Sequence, residues 1–337
     1  MRQEGRVFTQ RTVCADVGAS YVRVGVADGG RVSHREERLI PDLLAQYSGD
    51  LVFAIGEMIA SVRALEVDGE AARSPIGVGV PAIVGEDGGL RVGLVSGIPE
   101  GTGLRDRLSE RFATEVVVDN DSSLAALGES LFGAGLGERN LVLLTLGTNI
   151  GMGIVAGGRI YRGARGGAGE IGTVPVWLDR SETLRWGVVK AGRPDHSEPT
   201  PPDGYVWLEE LYGGQALAEM WSALTAKETA DGSSSAPKVL QLAAAGDTVA
   251  GELVPEAIDG WALAIATAST ILDPGIALIG GGIAADIGPH LGRLREAVGR
   301  LMPGRAPRVE IASLGPLAGL IGAAAAARLA SSLRGVH

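Results

Sequence analysis

At 337 residues the chain exceeds the usual size of a single hydrophobic core, so two domains are expected. The net charge of −10 argues against a nucleic-acid-binding face, and the single cysteine, Cys14, excludes an intramolecular disulfide and a cysteine-built zinc cluster. Aromatic content of 4% means cores of Val, Leu, Ile and Ala, while 52 glycines, about twice average usage, point to tight turns and backbone-lined sites.

The start, MRQEGRVFTQRTV, is too charged for a secretory signal. The uncharged run 311–327 is interrupted by Gly315, Pro316, Gly319 and Gly322 and falls short of a membrane span. A cytoplasmic protein without membrane or nucleic-acid partners is expected. Residues 12–38 read as three strands joined by two turns, the first at Gly18, Ala19 and Ser20, the second at Gly29 and Gly30. Residues 41–64 carry apolar residues at helical spacing, with Gly49 and Asp50 breaking them into two helices. The run SPIGVGVPAIV at 74–84 suits a continuous buried strand. Its Gly77, Gly79 and Ala82 match the dinucleotide fingerprint formally, but Pro81 and a strand-like run stand where a helix should begin.

A short helix at 104–112 precedes a strand at 115–118, which delivers Asp119, Asn120 and Asp121 to the start of a helix that stops near Gly133. Such a junction suits chemistry, because the strand is rigid and the helix N-terminus electropositive. Helix capping by Asp121 or Ser122 is the plainer alternative. The stretch 141–160, LVLLTLGTNIGMGIVAGGRI, reads as strand, turn, strand, turn, with its first turn at Gly147, Thr148 and Asn149. It repeats the pattern of 13–32: Asp16, Gly18 and Ser20 correspond to Thr145, Gly147 and Asn149 at an offset of 129, and Gly29 and Gly30 to Gly157 and Gly158 at 128. A duplicated domain with a cleft between related lobes follows, against the alternative of two ordinary hairpins. Then come a glycine-rich loop at 162–172 carrying Glu170, a polar surface insertion at 178–204, and a helix at 206–220 with Glu209 in its first turn. Helices at 236–245 and 250–272, a buried strand at 276–279 meeting Gly280, Gly281 and Gly282, a strand at 309–314 and a helix at 317–333 complete the chain.

Glycine turns without a P-loop lysine still bind phosphates through main-chain N–H groups, and Asp16 can hold Mg²⁺ directly or through water. Phosphoryl transfer needs one carboxylate to accept the acceptor hydroxyl's proton, a role open to Asp121. Carboxylates and an amide also suit a polyol, so the set suggests a kinase acting on a sugar. The motifs GxxxxGK[ST] and GxSxG are both missing, and the four histidines lack metal-ligand spacing.

From about Val13 to Ala327 the sequence resembles the ROK family (repressor, open reading frame, kinase) of the sugar kinase, actin and Hsp70 superfamily. The resemblance lies in DVGAS at 16–20, VVVDNDSSLAALGE at 116–129, residues 144–154, GEIG at 169–172, Asp273-Pro274 followed by Gly280-Gly281-Gly282, and Ser313-Leu314-Gly315. It implies two ribonuclease-H-like α/β lobes with a central cleft: an N-terminal lobe of 1–119 plus 318–337 and a C-terminal lobe of 120–317. It further implies ATP and Mg²⁺ as cofactors, with Asp121 as general base and Asn120, Glu170 and Glu209 as sugar ligands. The nucleotide would lie against 18–20, 147–149 and 280–282, in a glucokinase-like homodimer. Thr173 replaces the histidine that usually follows GEIG and the cysteine motif is missing, so no zinc site is expected. The usual PNLxGW is VSGIPEGT here, which puts Gly97 or a neighbour in place of an asparagine sugar ligand. The departures fall on the sugar side, which implies a retained nucleotide site and an altered sugar pocket. A sugar sensor without turnover is the second hypothesis, with too few residues before the first strand for a winged helix, and a phosphotransferase with another acceptor or donor is the third.

Overall fold

The computed structural model describes residues 10–66, 74–85, 87–93, 97–99, 101–177, 204–225 and 235–334. The strands are β1 Thr12–Val17, β2 Tyr21–Asp28, β3 Arg31–Leu39, β4 Ile76–Val80, β5 Ala82–Val84, β6 Leu90–Gly93, β7 Val116–Asn120, β8 Leu141–Leu146, β9 Ile150–Ala156, β10 Arg159–Ile160, β11 Pro175–Trp177, β12 Tyr205–Trp207, β13 Ile276–Gly280 and β14 Arg308–Ile311. The helices are α1 Ile40–Gln46, α2 Leu51–Ala64, α3 Leu104–Phe112, α4 Asp121–Phe132, α5 Leu208–Tyr212, α6 Gly214–Thr225, α7 Ala236–Ala244, α8 Thr248–Leu272, α9 Leu291–Leu301 and α10 Ala318–Arg334.

Two five-stranded sheets carry the fold, ordered β3-β2-β1-β4-β7 and β10-β9-β8-β13-β14. Each pair of corresponding strands occupies the same place in its sheet, so the repeat seen in the sequence is a repeat of topology. This is the ribonuclease-H-like order. In the first sheet β1, β2 and β3 form an antiparallel meander, and β4 and β7 add in parallel to β1. The parallel strands are apolar and buried along nearly their whole length, as strands covered on both faces must be. Edge strand β3, RVSHREERL, is charged throughout, which discourages pairing with another chain.

The described residues fall into two compact units, 1–143 with 153–169 and 312–337, and 144–152 with 170–311. In the first, Val13, Val24, Ile55, Val78 and Leu108 belong to one buried cluster on one face of the sheet. On the other face Cys14, Leu124, Leu127, Leu320 and Ala323 form a second cluster, in which α4 and α10 meet. That contact is close because glycines replace side chains at the crossing. A Cβ on Gly322 would stand 1.7 Å from the Leu124 carbonyl oxygen, and one on Gly77 2.0 Å from that of Ala323. Packing therefore groups residues 120–143 with the first unit, a partition different from a division at 119/120. In the second unit α8 carries the fully buried Trp261, whose Nε1 donates to the Tyr212 carbonyl at 2.8 Å.

Several expectations need correction. The run 74–84 is not one strand, because Pro81 cannot donate a ladder hydrogen bond and separates β4 from β5. The expected helix at 206–220 is strand β12 followed by α5 and α6, which part at Gly213. Helix α9 lies in a stretch to which no element was assigned. The strand expected to reach 314 ends at Ile311, and a single 3₁₀ turn at Gly315–Leu317 precedes α10. The expected insertion at 178–204 lies outside the described residues except for Gly204.

If α4 and α10 need that crossing, Gly322→Ala should lower unfolding free energy by about 1–3 kcal/mol in urea titrations, the usual cost of overpacking. Gly251→Ala on α8, where a Cβ meets nothing within 4 Å, should instead be neutral or gain up to about 1 kcal/mol.

Candidate functional site

Parallel pairing sets the site of the first unit. Asp16 on β1 is in register with Gly79 on β4, and Gly79 with Asp119 on β7, so the three form a row at the carboxyl ends of neighbouring strands. Such ends are where α/β sheets collect ligands. The row's centre has no side chain. A Cβ on Gly79 would lie 3.2 Å from Leu124 Cδ1, 3.4 Å from Asp16 Oδ1 and 3.6 Å from Asp121 Cα, so the first turn of α4 settles onto the sheet there. Gly319 in the first turn of α10 does the same on the far side of Asp16, its would-be Cβ 2.7 Å from Oδ1.

Asp16 and Asp121 are thus brought together. Burial, then the Asp121 charge, raise the Asp16 carboxyl to about 7, against the opposing pull of Arg23 Nη1 at 3.6 Å from Oδ2. Burial also raises Asp121, although Ser122 donates to Oδ1 from its N–H at 2.7 Å and its hydroxyl at 3.4 Å. Asp121 remains half-buried rather than sealed. Capping of α4 falls to neither Asp121 nor Ser122: the Asn120 side chain accepts from Ser123 N–H at 3.0 Å and donates to the Ala82 carbonyl at 3.4 Å. The first glycine turn is closed by Gly18 N–H on the Tyr21 carbonyl at 2.8 Å, with Ala19 and Ser20 exposed at its tip.

In the second unit the turn at Gly147, Thr148 and Asn149 is held from both ends. The carbonyls of Gly147 and Thr148 accept the Gly214 and Gln215 N–H groups at 2.9 and 3.0 Å, at the start of α6. Gly281, at φ +82°, lies against Leu146, where a Cβ would come within 2.4 Å of the carbonyl oxygen, so 280–282 sits beside that turn. Glu209 is buried in the first turn of α5 and Oε2 accepts the Ile150 N–H at 3.3 Å. It packs against Gly172, in the 3₁₀ turn Ile171–Thr173 that follows the exposed Glu170. Thr173 is exposed and donates from N–H and Oγ1 to the Glu170 carbonyl, at 3.2 and 2.9 Å. Gly97 (φ +85°) lies instead against Leu44 and Leu51 at the α1–α2 junction.

Three interactions escaped the sequence reading. Buried Asp119 accepts from Arg162 Nε and Nη2 at Oδ2, at 2.8 and 2.5 Å, across 43 residues of chain. Arg23 faces Asp16 as its antiparallel register partner, which alternation along β2 could have suggested. Fully buried Glu129 on α4 accepts the Ala134 N–H at 2.8 Å, and Ser313 and Leu314 N–H at 3.1 and 2.7 Å. Among the described residues no cluster of three or more His, Cys, Asp or Glu is arranged to hold a metal.

A model of the ROK family matches residues 12–329. A bifunctional enzyme NanE/NanK of Brucella suis is 38% identical over 227 residues, 67% of this chain and 37% of that protein, so the chain spans little more than a third of that relative's length. A glucokinase of Halalkalibacterium halodurans is 32% identical over 261 residues, 73% of this chain and 74% of its own. The crystal structure of a ROK family glucokinase from Streptomyces griseus, in complex with glucose and AMPPNP, is similar with a TM-score of 0.74 and 26% identity, covering 95% of this chain and 99% of that one.

The raised Asp16 carboxyl has a sign that can be measured. Between about pH 4 and 7 the folded chain holds a proton that the unfolded chain has lost, so this contribution to stability is complete below that window and disappears as pH rises through 7. Asp16→Asn should therefore match the wild type in urea titrations at pH 4 and exceed it by on the order of 2 kcal/mol at pH 8.

Proposed function

The chain belongs to the ROK family, and from that premise we propose that it catalyses ATP-dependent phosphorylation of a sugar hydroxyl, with Asp121 as general base. One observation carries the proposal: the Asp121 carboxyl stands at the start of α4, above the carboxyl ends of parallel strands, partly open and with its proton affinity raised by burial. A carboxylate so raised is a stronger base towards an acceptor hydroxyl, and its position on a rigid strand–helix junction fixes its aim. Both Ser122 bonds go to Oδ1, and Oδ2 is the oxygen assigned to take the proton in this reading. Asn120 and Asp121 follow one another in the chain, so an acceptor contact and the base are placed by one cap. Glu170, Glu209 and Thr173 complete the acceptor-binding set in this reading.

Asp16 suits Mg²⁺, because two carboxylates pressed together with one arginine as counter-charge gain from a further cation. With Asp16 as the assigned ligand, such an ion would draw most of its oxygens from water and phosphate, as magnesium commonly does. When bound, the ion neutralises charge on the transferring phosphoryl group. The triphosphate is assigned to the glycine turns at 18–20 and 147–149 and the adenosine side to 280–282. Support comes from the way these turns are tied down through main-chain groups, which leaves neighbouring N–H groups preorganised. The reading extends to a cytoplasmic homodimer.

A panel of hexoses, N-acetylhexosamines and pentoses with Mg-ATP, read by ADP release, tests the proposal. At least one sugar should be phosphorylated, and Asp121→Asn should lower kcat by roughly 10³-fold while calorimetry still registers the sugar. Sugar binding without ATP binding would make the protein a sensor, and an active Asp121→Asn variant would remove the base from its role.

A further inference from the structure

The Asp119–Arg162 pair is not used by the chemistry above, yet it sits at the root of the acceptor side. Asp119 lies in the strand-end row with Asp16 and Gly79, and its side chain is only 4% exposed. Its two oxygens are divided between tasks. Oδ1 accepts the Asn120 N–H at 2.9 Å and so fixes the backbone that leads into Asp121, while Oδ2 takes both bonds from Arg162. Arg162 opens the loop 162–169, and the loop is fastened at two further points. The Arg162 carbonyl accepts the Ala168 N–H at 3.1 Å, and Gly166, at φ +83°, lies so close to β5 that a Cβ would stand 2.1 Å from the Val84 carbonyl oxygen. The same short strand receives the Asn120 side-chain amide at Ala82. The Asp119 carboxylate thereby ties β7 to the glycine-rich loop, and Gly166 and the Asn120 amide bring β5 against both, so the three form a wall around Asn120.

We propose that Asp119 and Arg162 form a latch that positions the acceptor wall, so that Arg162 is a positioning residue for the sugar and not for the nucleotide. Arginine suits the place because a planar fork holds one carboxylate oxygen from two nitrogens, whereas a lysine offers a single point contact. The pair also neutralises a third carboxylate at a strand end that already crowds two. The inference rests on the sugar-kinase reading and deepens its acceptor side.

The test is steady-state kinetics on purified wild type, Arg162→Ala, Arg162→Lys, Asp119→Asn and the double variant Asp119→Asn/Arg162→Ala, with sugar and ATP varied separately and thermal melting as the fold control. Arg162→Ala and Asp119→Asn should raise the sugar KM roughly tenfold while the ATP KM moves less than about twofold, Arg162→Lys should recover part of the loss, and the double variant should be no worse than the poorer single one. Equal rises in both KM values, or a sugar KM unchanged in a folded variant, would overturn the latch while leaving the kinase reading in place. If Arg162→Ala fails to fold, the milder Arg162→Lys carries the same comparison. A wild type that neither turns over nor binds any sugar of the panel overturns the kinase reading and the latch with it.

Discussion

A missing side chain governs the first unit. At Gly79 the sheet offers α4 a bare stretch of backbone, and the helix start settles there until Asp121 Cα is 3.6 Å from where a Cβ would be. A Cβ there would ask only Leu124 Cδ1, at 3.2 Å, to give way by a few tenths of an ångström, so it is side chains longer than alanine that would press between α4 and Asp16. Close packing leaves little slack for a shift of α4, because Gly77, Gly128 and Gly322 give α10 far tighter contacts with β4 and α4, with would-be Cβ atoms 2.0, 2.6 and 1.7 Å from backbone oxygens. The stability of this packing and the geometry of the site are therefore one constraint.

Two buried or half-buried acids then divide the work of charge. Glu129 is sealed from solvent and satisfied by main-chain N–H donors from the loop after α4 and from the segment before α10, so it holds the two helices at a fixed relation. A buried carboxylate so well bonded is a structural element, costly to disturb on either side. Asp16 lacks that satisfaction. Its chief partner is an arginine at 3.6 Å, and it stands beside another acid, which raises its proton affinity. In its charged form such a group opposes the folded state, and groups of this kind are often found where a ligand binds.

Much of this was legible in the amino-acid order, and the illegible parts share a cause. The paired hairpins were visible because alternation and glycine turns are local signals, repeated at 129 and 128 residues. The junction at Asp119–Asp121 was visible because an apolar run gives way to acids just before a helical period begins. Capping by Asn120 rather than its neighbours depends on where the strand ends, and β7 runs two residues further than the expected strand. The split at Gly213 was hidden by a continuous apolar period across it, and β12 is too short to announce itself. The Arg162 bond to Asp119 and the Glu129 bonds to 313–314 cross 43 and 184–185 residues, and no periodicity encodes contacts of that span.

The difference between local and distant signals also separates the two sides of the proposed active site. Turns that bind phosphate do so with main-chain groups, and here they are fixed by main-chain bonds as well, Gly18 on Tyr21 and Gly147 and Thr148 on the start of α6. Side chains at such turns need only be small, so the pattern persists through sequence change. An acceptor pocket is made of side chains, and each must be aimed by others: Asn120 by its cap and by Ala82, Asp119 by Arg162. Replacement of one residue there re-aims its neighbours. The two sides of the proposed site thus differ in kind, one suited to recognition by backbone and the other to recognition by side chain.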